Sequence, residues 1–237
     1  MATGIDFRKQ GRSYLISPAS ASSDSLPSYL FDAQSLEAQG IIEGHARGRA
    51  EAFFLRLNEQ QLVLRHYRRG GIPRYFSKDR FIWPGIRRTR PWRELAITAR
   101  LRALGLPVPV PYGGCVRRQG MSYSADILTE RIPGTRSLAD FAVDGMPDAI
   151  WWEVGRVIRR FHDANAHHAD LNVRNILIDD AWKAWLIDWD RGRLGASRAM
   201  KARNLGRLRR SFSREPALVS AAERHWPTLI NGYEESS

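Results

Sequence analysis

The chain has 237 residues, and Lys and Arg outnumber Asp and Glu by 37 to 25. The resulting net charge of +12 predicts an anionic partner, whether nucleic acid, a membrane surface or a phosphorylated substrate, and charge alone does not choose among them. A single cysteine, Cys115, excludes an intrachain disulfide and a thiolate zinc cluster; with no signal-peptide core and no apolar run near the roughly 18 residues that span a bilayer, the expectation is a soluble or peripheral, cytoplasmic protein.

Residues 1–30 end in SPASASSDSLPS and predict a flexible leader, with an edge strand at Tyr14 to Ile16 at most. From Gly40 the pattern predicts a loop bearing Gly44 and Gly48, a strand from Glu51 to Leu57, a polar turn, and a strand from Leu62 to Tyr67. Two glycines so placed either let the backbone approach a phosphate or simply make a turn.

Arg68 to Arg93 holds nine basic residues and one acid, interleaved with Tyr75, Phe76, Phe81, Trp83 and Trp92. Arg74, Lys78, Arg80, Trp83, Arg87 and Arg88 are therefore candidates for docking on lipid headgroups. The same composition suits single-stranded nucleic acid, or a solvated loop whose rings pack on the domain. A helix from Trp92 to Leu104 follows, in which Glu94 shares a face with Ile97, Leu101 and Leu104. A carboxylate on an apolar face needs a partner, and Arg65 on the preceding strand is the obvious one; alternatively, Glu94 merely sits in a first helical turn.

LPVPVPYGGCVRR and SYSADILTERIPG read as two strands, the second running into a hinge at Thr129 to Gly134 that includes Glu130. Ile150, Val154, Val157, Ile158 and Phe161 mark an amphipathic helix, with His162 as a core or capping residue. Near the C-terminus, Leu205, Leu208 and Phe212 form one helix face, while Arg203, Arg207, Arg210 and Arg214 form the other, facing an anionic ligand, headgroups or water.

The most informative stretch is HADLNVRNILIDDAWKAWLIDWD, from His168 to Asp190. Apolar triplets flank polar stations at Asp170, Asn175 and Asp188, which predicts loop, strand, turn, strand. The hairpin brings Asn175 and Asp188 to one end, with Asp170 on the loop leading in. A carboxylate and an amide can hold Mg²⁺ on a nucleotide's phosphates while a second carboxylate orients the attacking hydroxyl, so the trio suits phosphoryl transfer.

This stretch resembles the protein-kinase catalytic core: HADLNVRN stands where kinases have H-R-D-x-x-x-x-N, and Asp188-Trp189-Asp190 where they have D-F-G. With VLRHYRRGG, RTRPWRE and LRALGLPVPVP, the chain from about Gly40 to Phe212 is similar to the lipopolysaccharide kinase family. The resemblance implies an α+β, protein-kinase-like two-lobed fold, with an antiparallel-sheet N-lobe over 31–131 and a reduced, mainly helical C-lobe over 132–237 that carries the catalytic loop and a basic C-terminal helix. It implies Asp170 as base, Asn175 and Asp188 as Mg²⁺ ligands, and His168 in the catalytic group as a brace for the loop. Arg65 takes the place of the phosphate-binding lysine, paired with Glu94, and Gly44, Gly48 and Glu130 join Arg65 in the nucleotide site.

The implied reaction is ATP-dependent phosphorylation of the 4-hydroxyl of 3-deoxy-D-manno-octulosonic acid (Kdo) on a lipid A precursor. It would occur peripherally at the cytoplasmic face of an anionic bacterial inner membrane, with no nucleic acid partner. Competing readings are a kinase for another core sugar such as heptose, an atypical protein kinase, and an inactive kinase-fold module that binds membrane or RNA. The absence of an A-P-E segment and a long activation loop argues against a protein substrate.

Overall fold

The computed structural model describes residues 4–19, 26–46, 52–68, 79–214 and 216–235. Two compact units share the chain: residues 1–99 with 110–131, and residues 100–109 with 132–237. The antiparallel sheet and accompanying helices make it an α+β, kinase-like protein.

The first unit is built from β1 (Ile5–Gln10), β2 (Ser13–Pro18), α1 (Ala33–Ala38), β3 (Ile42–Ala46), β4 (Ala52–Leu57), β5 (Gln60–His66), β6 (Phe81–Ile82), the greater part of α2 (Arg90–Ala103), whose residues from Arg100 on count with the second unit, β7 (Pro111–Gln119) and β8 (Ser122–Glu130). The antiparallel order is β1-β2-β7-β8-β5-β4-β3, with β6 pairing β8 beyond the end of β5. Successive strand side chains point to opposite faces, and here both faces are buried. Leu15, Leu55, Leu62, Leu64, Cys115 and Leu128 pack beneath Leu30, Phe31 and Leu36. Their sequence neighbours Ile16, Val116 and Ile127 turn the other way, with Tyr67, onto Trp92 and Leu95 of α2. Burying a side chain such as Leu15 contributes about 2 kcal/mol.

The leader expected over residues 1–30 is corrected over residues 5–18, which form a hairpin. β2 is an inner strand registered on β7 from Ser13 to Ile16. Leu15 and Ile16 each reach a core, and that double-sided burial removes the alternation by which a strand is usually recognised. The loop expected around Gly44 is corrected as well: Gly44 lies in β3, beside a bulge between Ile42 and Gly44. Gly48 and Glu51 lie outside the described residues, as do Arg74, Tyr75, Phe76 and Lys78.

The second unit contains β9 (Arg136–Ser137), α3 (Leu138–Asp144), α4 (Asp148–Asp163), β10 (Ala166–His167), β11 (Ile176–Ile178), β12 (Ala184–Leu186), β13 (Arg193–Leu194), α5 (Arg198–Phe212) and α6 (Pro216–Glu235). The predicted hairpin is β11 and β12, registered Ile176 to Leu186, with β9 on its outer side. Asp179 shapes its turn, accepting from the amides of Ala181 and Lys183 and from the Trp185 indole. The amphipathic α4 buries Ile150, Val154, Val157, Ile158 and Phe161.

The basic helix, α5, is not the last element, since α6 follows it and packs on α4. Gly155 and Gly232 allow this: a Cβ on Gly155 would stand 1.9 Å from the Leu229 carbonyl oxygen, and one on Gly232 2.0 Å from that of Trp152.

Candidate active site

In the second unit, backbone and side chains cooperate to hold the loop between β10 and β11. Asn172 Oδ1 accepts from the amides of Arg174 and Asn175, and its Nδ2 donates to the Asp170 carbonyl at 2.9 Å and to Asp170 Oδ2 at 3.2 Å. Asn175 Nδ2 donates to the same Asp170 carbonyl at 2.9 Å. The Ile187 amide donates to the Asn175 carbonyl at 3.0 Å, so Asp188 stands one residue beyond the ladder position facing Asn175. The structure thus brings Asp170, Asn175 and Asp188 to one end of the hairpin.

Asp188 adopts a left-handed backbone conformation, with φ of 62°. Asp tolerates that region better than most side chains, though at some cost, and such outliers gather at functional sites. Immediately after it, Trp189 is buried against Phe161, with ring centroids 5.1 Å apart, and against His168 at 4.6 Å.

His168 ties these parts together. Its Nε2 donates to the Ile187 carbonyl at 2.8 Å, and its Nδ1 accepts from the Asp170 amide at 3.2 Å. Both bonds suit a neutral ring, and burial holds its pKa below the usual histidine range despite the Ile187 carbonyl and the Asp188 and Asp170 carboxylates. His168 braces the loop and has no free nitrogen with which to carry a proton.

α5 supplies supports that the sequence reading missed. Its buried face is Asn204, Leu208, Ser211 and Phe212, while the expected Leu205 is half-buried. Asn204 Nδ2 donates to the His168 carbonyl at 2.7 Å, and its Oδ1 accepts from the His168 amide at 3.3 Å. Ser211 Oγ accepts from the Val173 amide at 3.1 Å. The only advance signal was polar residues at helix positions adjoining Leu208 and Phe212.

The same docking corrects Arg207, expected on a headgroup-facing stripe. Its Nη1 donates to Asp170 Oδ1 at 3.3 Å, because it lies on the turn of α5 between the two loop-binding residues. Arg203 and Arg210 are exposed.

In the first unit, β5 and the residue after it place Arg65 and Tyr67 beside α2, where both reach Glu94. Arg65 Nη2 donates to Glu94 Oε1 at 2.5 Å, and the Tyr67 hydroxyl donates to Glu94 Oε2 at 2.5 Å. Glu94 is 4 % exposed, so its charge is offset by two direct donors. Glu130 ends β8, its amide bonded to the Val110 carbonyl. On Gly44 an added Cβ would meet only Phe54, at an ordinary 3.7 Å.

Trp83 is corrected as a free docking ring. It stacks on Tyr14 at 5.5 Å, meets Tyr123 edge-on, and lies beneath the Arg118 guanidinium. Arg80 donates to Ser122, and Arg87 and Arg88 are exposed on a short 3-10 turn over Ile86–Arg88.

The described residues contain no cluster of three or more His, Cys, Asp or Glu able to hold a metal. A nucleotide-bound Mg²⁺ does not need one, because phosphate oxygens and water supply much of its shell. The Asn175 amide oxygen and the Asp188 carboxylate fit as the protein's hard donors. No described helix is long and apolar enough to cross a membrane.

The family model described as lipopolysaccharide kinase (Kdo/WaaP) matches residues 33–233. A relative from Photobacterium profundum, named 3-deoxy-D-manno-octulosonic acid kinase, is 37% identical over 211 residues, 88% of this chain and 89% of its own. Relatives of the same name from Stenotrophomonas maltophilia and Xylella fastidiosa are 48% and 41% identical, covering 84% and 83% of this chain and 80% and 79% of their own. The loop carrying Asp170 and Asn175, the hairpin ending in Asp188 and this match over most of the length lead to one assignment: the chain belongs to the lipopolysaccharide kinase (Kdo/WaaP) family.

Proposed function

We propose that the protein phosphorylates the 4-hydroxyl of Kdo on a lipid A precursor, with ATP as donor and Mg²⁺ as cofactor, working peripherally at the cytoplasmic face of the inner membrane. The observation that carries this reading is the braced Asp170–Asn175–Asp188 station in a chain whose relatives are named as kinases for that sugar. Kinase chemistry and ATP as donor follow from the family; the individual roles are the proposal.

Asp170 accepts the proton of the acceptor hydroxyl as its oxygen bonds to the γ-phosphorus. The bond from that phosphorus to the β,γ-bridging oxygen breaks, and ADP carries the electron pair away. The Asp170 side chain is 59% exposed, which leaves it open to a large acceptor. When bound, Mg²⁺ would neutralise charge on the phosphate oxygens; Asn175 and Asp188 would hold it. Arg65, oriented by Glu94, contributes a fixed cation to the phosphates, while Gly44, Gly48 and the backbone at Glu130 serve the rest of the nucleotide. An arginine in that place offers a planar fork where a lysine offers a point charge.

An acceptor whose acyl chains stay in the bilayer requires the enzyme to reach the surface, and Arg74, Lys78, Arg80, Arg87, Arg88, Arg203 and Arg210 are assigned to that task. The test is a panel of acceptors bearing Kdo, heptose or neither, incubated with ATP and Mg²⁺, with phosphorus NMR of the product. Phosphate on the Kdo 4-hydroxyl supports the reading; transfer to heptose alone would refute it.

A further inference from the structure

The ends of two hairpins in the first unit, β1 with β2 and β7 with β8, flank an open, surface-lying cavity of about 370 Å³. Lys9, Arg12 and Arg118 line it with Tyr14, Gly11 and Gly120, and no acid does. None of these three cations makes an ion pair among the described residues. The backbone joins the two hairpin ends, with the Arg118 amide donating to the Arg12 carbonyl at 2.9 Å, and the Arg118 side chain is anchored by Nε donating to the Gly120 carbonyl at 3.1 Å. The Arg118 guanidinium lies 5.0 Å from the Trp83 centroid, and Lys9 Nζ stands 6.0 Å from that of Tyr14.

Beside this cavity the surface changes character. Met121 follows Gly120 at the tip of the β7–β8 hairpin, and the Trp83 amide donates to its carbonyl, so Ile82 lies alongside. Met121 is 76% exposed and Ile82 74%, the highest values among the large apolar side chains of the described residues. A lone exposed apolar residue is unremarkable. Met121 adjoins Gly120 of the cavity lining and Ile82 sits on the strand paired beside it, so this hairpin end carries two exposed aliphatic residues as well as the cations, a combination that matches a bilayer interface, where apolar tips enter the acyl boundary while cations meet phosphates.

We propose that this hairpin end is a membrane-docking site: the cavity takes the phosphate headgroup of an anionic phospholipid, and Ile82 and Met121 insert beside it. The site deepens, and rests on, the reading of a membrane-embedded acceptor. Single-stranded nucleic acid fits less well, since the two rings here, Tyr14 and Trp83, are stacked on each other instead of being open to bases.

The test uses the whole protein and vesicles without acceptor or nucleotide, so it is independent of the transfer reaction. Phosphatidylcholine vesicles with phosphatidylglycerol should retain the parent protein. Association should fall about ten-fold or more for Arg12→Glu combined with Arg118→Glu, and about ten-fold for Ile82→Ser combined with Met121→Ser. Cys115 is buried, and that burial pushes its thiol up to about 11. A Met121→Cys variant therefore takes a polarity-sensitive dye at one site, whose emission should shift to the blue with anionic vesicles. That readout stands even if a charge-reversed variant fails to fold. Undiminished binding by the double variants, no dye shift, displacement by equimolar soluble glycerol phosphate, or preference for an RNA competitor would each overturn the site. If it falls while the parent still phosphorylates a detergent-dispersed Kdo acceptor, the proposed reaction stands and only the docking site is lost.

Discussion

The side-chain amide of Asn204 bonds both backbone groups of His168, donating to the carbonyl at 2.7 Å and accepting from the amide at 3.3 Å. His168 in turn bonds the Asp170 amide and the Ile187 carbonyl, so α5 holds the loop at Asp170 and the strand end before Asp188 through one buried residue. Asn204→Ala leaves several buried groups without partners and should cost about 2–3 kcal/mol. Chemical denaturation measures that loss. The transfer rate at saturating ATP should fall about ten-fold under conditions where the variant remains folded, and an unchanged rate would show that the loop is positioned by other means.

Glu94 sits between the Arg65 guanidinium and the Tyr67 hydroxyl. Glu94→Gln keeps the shape and removes the charge that orients Arg65. We expect the transfer rate to drop by about ten-fold or more while the loss of stability stays near 2 kcal/mol, because one hydrogen-bonding oxygen survives. Parallel kinetic and melting measurements separate the two effects. An unaltered rate would remove the pair from the site.

Gly155→Ala and Gly232→Ala probe the α4–α6 crossing. Each added methyl would overlap a backbone carbonyl, at 1.9 Å from Leu229 and 2.0 Å from Trp152, so the helices must separate. Each change should cost about 3 kcal/mol or more, at the upper end for overpacking. Urea titration measures this.

His162 lies buried between the Tyr233 hydroxyl and Asn204 Oδ1. Burial lowers its pKa from 6.5 to about 4, against the Asn204 hydrogen bond and with help from Lys201. The unfolded chain therefore binds a proton that the folded state resists. The associated stability is complete above about pH 6.5 and is lost as pH falls toward about 4, on the order of 3 kcal/mol in all. His66 works in the opposite sense. Its hydrogen bond to Asp126 raises its pKa, so its contribution is complete below the unfolded value and is lost as pH rises through the folded one. Urea midpoints from pH 4 to 8 should show a shallower acid-side decline for His162→Gln than for the parent; identical slopes would contradict the assignment.

The hairpin carrying Asn175 and Asp188 was legible because its information is local: apolar triplets, a turn and polar stations at fixed spacing lie within one short stretch. Glu94 and Arg65 were legible for a related reason, as a carboxylate among apolar helix positions calls for a partner. What escaped was non-local. β2 hides between two cores, so Leu15 and Ile16 lack the polar alternation of a half-exposed strand. Trp83 reads as available in the sequence because Tyr14, the ring stacked on it, lies far away along the chain. Asn204 reads as one more polar residue on an arginine-rich helix unless its partner His168 is known. α6 carries Pro227 in its interior, a residue that usually signals a helix break, and its packing depends on two glycines distant in the chain.

The most direct measurement compares parent, Asp170→Asn and Asp188→Ala proteins in one experiment, with Mg²⁺-ATP affinity from calorimetry and phosphate gain on a Kdo-bearing lipid A precursor from mass spectrometry. The account predicts that the parent adds one phosphate to the lipid. Asp170→Asn should bind Mg²⁺-ATP nearly as well but transfer at least about 100-fold more slowly, and Asp188→Ala should lose affinity for Mg²⁺-ATP itself. Equal nucleotide affinity in the two variants, or full transfer by Asp170→Asn, would contradict it.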